Sequence, residues 1–347
     1  MRIAIVNDLT LAVEVLRRLI RSVPGYQVAW TAADGVEAVE KCARDCPDLI
    51  LMDLIMPVMD GAQATKIIMK QSPCAILVVT ATVSGNAAKV FEALSCGALD
   101  AVATPVFGTA GGIEGGEELL RKIAVIGRLI VHAQHPGLAV QPYPQAAPDR
   151  APRMVALGAS TGGPNAVAII LRSLPANLGA AVSVVQHLDV QFAPGLVDWL
   201  DEQTGLTVSL AREGMKPEAG GVFVAGTNDH LVIGADLAFH YTADPVDYVY
   251  RPSVDEFFLS LGRHWPQPGV ACLLTGMGRD GAQGLLALRK AGWRTMAQDE
   301  KTSIVYGMPR AAVEIGGAEE SLPVDLIPAA ILRELKKRQG VKHHASS

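Results

Sequence analysis

Residues 49–61 read LILMDLIMPVMDG. Four apolar residues form a strand run that stops at Asp53, and a turn carrying Pro57 and Gly61 follows. The same pattern recurs on either side. Strand runs fall at 2–6, 27–31, 49–52, 75–80 and 98–102. Helix-period stretches lie between them, such as LAVEVLRRLI (11–20) and VEAVEKCARD (36–45). A last helix at 117–131 follows the Gly-rich segment GTAGGIEGG. Five strand–helix units in succession predict an α/β fold: a five-stranded, doubly wound parallel sheet with helices on both faces.

Beyond this domain, placed at 1–132, the character changes. Residues 134–153, QHPGLAVQPYPQAAPDRAPR, are Pro-rich and carry no period, so 133–152 reads as an extended linker. A second domain, 153–340, opens with MVALGAS (154–160), a strand running into a Gly-containing turn. Further strands are expected at 181–186, 221–225, 231–233 and 270–275, with helical runs NAVAIILRSL and AQGLLALRKAG. This predicts a second α/β unit with a mostly parallel sheet and an irregular middle around 235–252. The tail 341–347 reads as flexible.

The bulk numbers agree with two domains and exclude several classes. The chain has 347 residues, 50% of them hydrophobic, and a formal charge of −5. The acidic balance argues against nucleic-acid binding by phosphate neutralisation. The apolar run at 49–59 is broken by Asp53, and no stretch reaches the roughly 18 apolar residues of a membrane helix, so no membrane insertion is expected. The N-terminus MRIAIVND lacks a secretory apolar region. Five cysteines without a C-x-x-C pair read as reduced core thiols rather than a metal site or disulfides. A cytoplasmic protein is expected.

In the first domain, Asn7 and Asp8 follow strand one and Asp53 ends strand three. Carboxyl ends of neighbouring strands face one crevice in a doubly wound sheet, so Asp8 and Asp53 are expected together. Such a pair suits Mg²⁺ and phosphoryl chemistry. Equally, Asp8 could cap a helix and Asp53 close a turn, and spacing alone does not decide. The run LILMDLIMPVMDG resembles the phospho-acceptor signature of response-regulator receiver domains over about residues 1–132. That resemblance implies phosphorylation of Asp53 by a histidine kinase, Mg²⁺ held by Asp8, Asp53 and the Ile55 carbonyl, and a switch hydroxyl at Thr80. Three positions depart from it. Asn7 stands in place of a second acid, Thr104 in place of a lysine, and Ala101 in place of an aromatic residue.

In the second domain, Gly158–Gly162 matches G-x-S-x-G, which can expose the Ser160 hydroxyl at a sharp strand–helix turn. An N-cap serine on a Gly-rich turn would look the same. His187 follows the next strand and could serve as base or be structural. Asp280, in GMGRDG, could cap its own helix or orient His187. His230 in GTNDH is a rival base, read as structural or substrate-lining. Arg251 fits a substrate groove or a surface ion pair equally well. The order Ser, His, Asp differs from the Ser, acid, His order of α/β-hydrolases.

The stretches GASTGGP, VVQH, RPSVDEFF, LLTGMGRDGAQGL and AQDEKTSIVYGMPRAA resemble the catalytic domain of chemotaxis protein-glutamate methylesterases (CheB family). A receiver joined to such a domain by a linker is that family's architecture. The resemblance implies hydrolysis of glutamate methyl esters on the cytoplasmic helices of methyl-accepting chemoreceptors, releasing methanol, and deamidation of receptor glutamines. It assigns Ser160, His187 and Asp280 to the triad and the Met277 main chain to the oxyanion hole, with Thr161 beside the nucleophile. It calls for no esterase cofactor. It also implies that the unphosphorylated receiver restrains the active site. IVNDLTLAVEVLRRLI, SPCAILVVT and the Lys-less GALDAVATP resemble more narrowly the methylesterase of Wsp-type surface-sensing systems. Two other classes compete on paper. A catalytically silent docking protein would keep the scaffold without turnover. A DNA-binding regulator would need a basic recognition helix, and the acidic balance speaks against one.

Overall fold

The computed structural model describes residues 1–81, 87–107, 113–131, 151–246, 248 and 250–340. The chain divides into two compact units, Met1–Ala133 and Gln134–Ser347. Most of the expected linker and the whole of the expected tail lie outside the described residues.

In the first unit, β1 (Arg2–Val6), α1 (Thr10–Ser22), β2 (Gln27–Ala32), α2 (Gly35–Arg44), β3 (Leu49–Met52), α3 (Gly61–Gln71), β4 (Ala75–Thr80), α4 (Ala87–Ser95) and β5 (Asp100–Ala103) alternate. A short antiparallel pair, β6 (Val106–Phe107) and β7 (Ile113–Glu114), precedes α5 (Gly116–Val131). The five long strands are parallel in the order β2-β1-β3-β4-β5. Every residue of β3 is fully buried, which is what a central strand covered on both faces requires. One core layer joins Ile3, Ile5, Leu49, Leu51, Leu77 and Val79 to α1 and α5. Helix starts follow from their caps. Asp34 Oδ1 accepts from the N–H groups of Val36 and Glu37 at 2.8 and 2.9 Å, and Glu37 Oε2 returns the bond to Ala33 N. The expected fifth strand begins two residues late because the Ala98 N–H is spent on Ala93 O, closing α4.

The second unit runs β8 (Arg153–Ala159), α6 (Gly163–Arg172), β9 (Ala180–Gln186), α7 (Ala193–Gln203), β10 (Thr207–Leu210), β11 (Gly221–Val224), β12 (His230–Ile233), β13 (Phe239–Thr242), α8 (Val254–His264), β14 (Val270–Leu273), α9 (Ala282–Lys290), β15 (Arg294–Gln298), α10 (Met308–Glu314), β16 (Glu320–Leu322) and α11 (Ile327–Gly340). Seven strands form a wholly parallel sheet, β10-β11-β9-β8-β14-β15-β16. β8 and β9 lie at its centre and are buried almost throughout.

One expectation is overturned. Residues 235–252 are not irregular throughout, because Phe239–Thr242 pairs antiparallel with β12, His230 opposite Thr242 and Ile233 opposite Phe239. The turn between them is held by Asp236 Oδ1 accepting from Ala238 N at 3.1 Å, with Leu237 at φ +63°. Four residues are too few for their alternation to stand out from surrounding polar sequence. The hairpin packs on α8, where Ser260 Oγ accepts from Ile233 N at 2.9 Å.

Candidate active site

β8 hands the chain through α6 to β9 on one side, while β14 hands it through α9 to β15 on the other. The carboxyl ends of β8 and β14 therefore flank a topological switch point, where an open parallel sheet forms a crevice. Ser160 follows β8 directly, residues 276–280 follow β14, and His187 follows the neighbouring β9.

The turn at Ser160 is built by small residues. Gly162 caps α6 at φ +73° with no side-chain capping bond. A Cβ there would lie 2.6 Å from Ile304 Cγ1. A Cβ on Gly276 would meet Ser160 Cβ at 2.7 Å and Met308 Sδ at 2.3 Å, so only glycine lets these loops touch. The Ser160 main chain is fixed on three sides. Its N–H donates to Thr275 O at 3.0 Å, and its carbonyl accepts from Gly163 N and Gln186 Nε2, both at 2.8 Å. The hydroxyl is not the helix cap, and it has no hydrogen-bond partner among the described residues.

His187 Nε2 meets Asp280 Oδ2 at 2.7 Å, and both side chains are buried. Nδ1 is buried without a partner. Tyr250 stacks on the imidazole with centroids 4.3 Å apart and planes 5° from parallel, which sets the ring plane. Asp280 does not cap its own helix, whose N-cap is Gly281 at φ +85°. It serves α8 instead. Oδ1 accepts from Ser253 Oγ at 2.8 Å and Asp255 N at 3.1 Å, and Oδ2 accepts from Val254 N at 2.7 Å. Burial alone would push this carboxyl up, but His187 and the α8 amides hold it below the ordinary aspartate range. Its neighbour Asp255 goes the other way. Burial and the charge of Asp280 raise Asp255 well above that range.

His230 is displaced from the substrate-lining role considered for it. It is fully buried, Nδ1 accepts from Ser253 N at 3.0 Å, and Nε2 donates to Pro245 O at 3.1 Å. Both ring nitrogens are spent bracing the residue that caps α8 and holds Asp280. Arg251 takes the ion-pair reading, since Nη2 donates to Asp229 Oδ1 and Ala243 O, each at 3.0 Å. Thr161 is buried beside the nucleophile, its carbonyl accepting from Thr275 Oγ1 at 2.8 Å. The N–H of Met277 is not used in any hydrogen bond among the described residues, whereas the flanking Gly276 N–H donates to Val305 O.

In the first unit, β1 and β3 are adjacent and their carboxyl ends bring Asn7, Asp8 and Asp53 together. Asp53 is buried and Asp8 exposed. Asn7 Nδ2 donates to Asp53 Oδ2 at 3.0 Å and Asn7 Oδ1 accepts from Leu9 N at 2.8 Å, so the missing acid has become a donor to Asp53. Asp8 does not cap α1, whose N-cap is Leu9 with no side-chain capping bond. Burial pushes Asp53 up to about 6, with Asp8 adding to the rise and the amides of Leu54 and Ile55 opposing it. Thr80 is buried at the end of β4, its carbonyl accepting from Thr104 N at 2.9 Å. Ala101 is fully buried in β5. Lys122 does not replace the lysine absent at Thr104, because its Nζ is bound to Asp100 and Ala101 at the opening half of β5.

Comparison with known proteins follows this division. Residues 155–331 match the CheB methylesterase family and residues 3–108 the response regulator receiver domain. The chain is 51% identical to a Mesorhizobium japonicum protein-glutamate methylesterase/protein-glutamine glutaminase, over 97% of this chain and 99% of that one. The chain belongs to the CheB methylesterase family. A Cupriavidus metallidurans relative with the same two-part name, numbered 2, is 53% identical over 94% of this chain and 96% of its own length. Among solved structures, the CheB methylesterase catalytic domain of Thermotoga maritima is 32% identical with a TM-score of 0.51, covering 53% of this chain and 99% of that one. The chain thus combines a CheB methylesterase domain with a response regulator receiver domain.

A receiver implies phosphorylation supported by Mg²⁺, and the pocket fits that ion. Its donors are hard oxygens, and Asp8 and Asp53 repel one another in a way a divalent cation would relieve. The raised Asp53 also gives a stability prediction for the Mg²⁺-free state. A carboxyl raised on folding adds stability below its unfolded value, and loses it as pH rises through about 6. Between pH 4 and pH 7.5 with chelator, Asp53→Asn should therefore gain about 2 kcal/mol on wild type, set against a pH-independent cost where its NH₂ meets the Asn7 amide or Leu54 N–H. Urea unfolding of residues 1–133, followed through Trp30, measures it, and a difference that does not change with pH would count against a strained carboxylate.

Sequence reading missed Gln186, Ser253 and Thr275. Gln186 and Thr275 act through main-chain groups, and Ser253 through the Asp280 carboxylate, of residues distant in sequence, so no spacing signals them. Thr275 Oγ1, for example, donates to Thr161 O and accepts from Val305 N.

Proposed function

We propose that this chain hydrolyses glutamate γ-methyl esters on chemoreceptor cytoplasmic helices, releasing methanol, with deamidation of receptor glutamines as a second activity of the same site. The observation that carries the reading is the buried His187–Asp280 pair at a switch point beside a serine whose hydroxyl has no other duty. Nε2 donates to Asp280, which leaves Nδ1 as the bare acceptor. Ser160 Oγ attacks the ester carbonyl and its proton passes to Nδ1. The imidazolium that forms is stabilised by the Asp280 carboxylate. The carbonyl electrons move to an oxyanion facing the Met277 N–H, a donation worth about 3 kcal/mol in related chemistry. Collapse expels methoxide, which takes the proton from Nδ1. Water then repeats the sequence to free the glutamate and restore Ser160. A glutamine substrate would follow the same path with ammonia leaving.

The receiver supplies control. A histidine kinase of the chemotaxis type is the phosphodonor for Asp53, with Mg²⁺ held by Asp8, Asp53 and the Ile55 carbonyl. Thr80 would register the phosphoryl group, and the Pro-rich linker joins receiver to hydrolase. The finer placement in a Wsp-type surface-sensing array rests on the stretches quoted above.

A fragment beginning at Met154 should release methanol about tenfold faster than the unphosphorylated full chain, corresponding to about 1.4 kcal/mol of restraint. A small phosphodonor with Mg²⁺ should bring the full chain toward the fragment, while Asp53→Asn should not respond. Equal rates for fragment and full chain, with or without the donor, would remove the receiver from control.

A further inference from the structure

Three of the five cysteines, two of them four residues apart and the third about thirty residues on, converge on one spot of the receiver unit. Cys42 lies in the last turn of α2, Cys46 follows that helix, and Cys74 immediately precedes β4. Their sulfur atoms all lie within 4.8 Å of one another, with Cys42 Sγ and Cys74 Sγ 3.9 Å apart. Thiolates bound at about 2.3 Å to one tetrahedral or trigonal ion stand about 3.8–4.0 Å apart, so closing the set requires shifts below about 1 Å. A disulfide needs about 2.05 Å between sulfurs, a much larger approach.

We infer that Cys42, Cys46 and Cys74 form a three-thiolate site for a soft, thiophilic cation, Zn²⁺ or Cu⁺, with its remaining position open to solvent on the Cys46 side.

Burial is graded across the set in the way such a site needs. Cys42 is buried, Cys74 half-buried and Cys46 exposed, so the ion has a deep anchor and an entry path. An exposed cysteine fills no core, so packing does not account for Cys46. Soft sulfur donors select this class of ion over Mg²⁺, which stays with the oxygen pocket. The neutral partners are the Ser72 carbonyl, 3.6 Å from Cys42 Sγ and 3.9 Å from Cys46 Sγ, and the Pro47 carbonyl, 3.8 Å from Cys46 Sγ. Burial pushes the Cys42 thiol up to about 11 and raises Cys74 as well, so binding must release protons and strengthen with pH.

The site lies where β3 and β4 begin, whereas Asp53 and Thr80 lie where these strands end. An ion there would rivet α2 to the α3–β4 turn without touching the phosphorylation pocket. Its effect is therefore on receiver rigidity, a property independent of the esterase proposal.

The test uses reduced, metal-free full-length protein. Zn²⁺ is titrated against a chromophoric chelator, Cu⁺ against a Cu⁺-specific one, and Co²⁺ is added as an optical probe. One ion per chain is expected, with a sulfur-to-cobalt charge-transfer band and slowed amide exchange at the end of α2. Cys46→Ser, at an exposed position that leaves folding intact, should weaken binding more than about tenfold, as should Cys74→Ser. Cys96→Ser should not. Tight binding of either Zn²⁺ or Cu⁺ to the triad sustains the site and names its ion. Absence of a thiolate band, binding undiminished in Cys46→Ser, or a Cys42–Cys74 disulfide in a chain that binds neither ion would overturn it.

Discussion

Replacing Ser160 with alanine is expected to lower methanol release from methylated receptor by about 10⁶-fold, the cost of removing the nucleophile from a working triad. The fold should be unaffected, for a reason specific to this turn. Among the described residues, every hydrogen bond of Ser160 is made by its main chain: N–H to Thr275 O, and carbonyl from Gly163 N and Gln186 Nε2. Alanine keeps every one of them. The hydroxyl caps no helix, since Gly162 does that by adopting φ +73°. Unfolding free energy should then stay within about 0.5 kcal/mol of wild type. Loss of activity with unchanged stability separates a nucleophile from a structural serine. The assay follows radiolabelled methanol from methyl-labelled receptor, beside a denaturant melt of the same variant. Residual turnover within about a hundredfold of wild type would displace Ser160 as nucleophile, leaving a water activated by His187.

The two halves of this chain were unequally legible. In the receiver, each strand is an apolar run ended by a turn, so β1, β3 and β4 could be read to the residue. The site followed because Asp53 ends one of those runs. In the second unit the strands that carry the site were equally plain. Their neighbours were not. β13 is four residues of mixed polarity, recognisable only once β12 lies beside it. Asp280 illustrates the deeper limit. Its position before α9 suggested a cap for that helix, and its proximity to a base could only be surmised. The carboxylate in fact accepts from the first two amides of α8, a helix that begins more than twenty residues earlier, while orienting His187. Sequence spacing reports contacts along one helix. It carries no information about a carboxylate shared between two.

The same ambiguity applied to the cysteines. Cys42 and Cys46 sit one turn apart, a spacing common in packed helices. Only the return of the chain at Cys74 turns two thiols into a chelating set. At Asn7 the sequence suggested a simple loss of charge. The structure adds that its amide donates to Asp53, so the residue is an active part of the pocket.

Asp280→Asn should lower kcat by about 10³–10⁴-fold with little change in KM, and geometry gives the reason. Each oxygen of Asp280 faces a main-chain N–H that cannot turn round. Oδ2 receives Val254 N–H and His187 Nε2, while Oδ1 receives Asp255 N–H and the Ser253 hydroxyl. An asparagine NH₂ at the Oδ2 position would oppose Val254 N–H and force Nε2 to become an acceptor. The proton then sits on Nδ1, the nitrogen that must receive one from Ser160. An NH₂ at the Oδ1 position would oppose Asp255 N–H instead and loosen the start of α8. Neither orientation keeps both the helix and the tautomer. Asp255→Asn is the matching control, because burial and the Asp280 charge raise the Asp255 carboxyl well above its ordinary range, and it does not touch His187. Its Oδ1 accepts from Gly284 N at 2.6 Å, and an amide oxygen can do the same. Activity should stay within about tenfold of wild type, with an unchanged pH profile. Equal losses in the two variants would mean that α8, rather than the histidine tautomer, is what Asp280 protects. Burial and neighbouring groups push these two carboxyls in opposite directions, Asp255 up and Asp280 down, and only Asp280 contacts the imidazole it would stabilise.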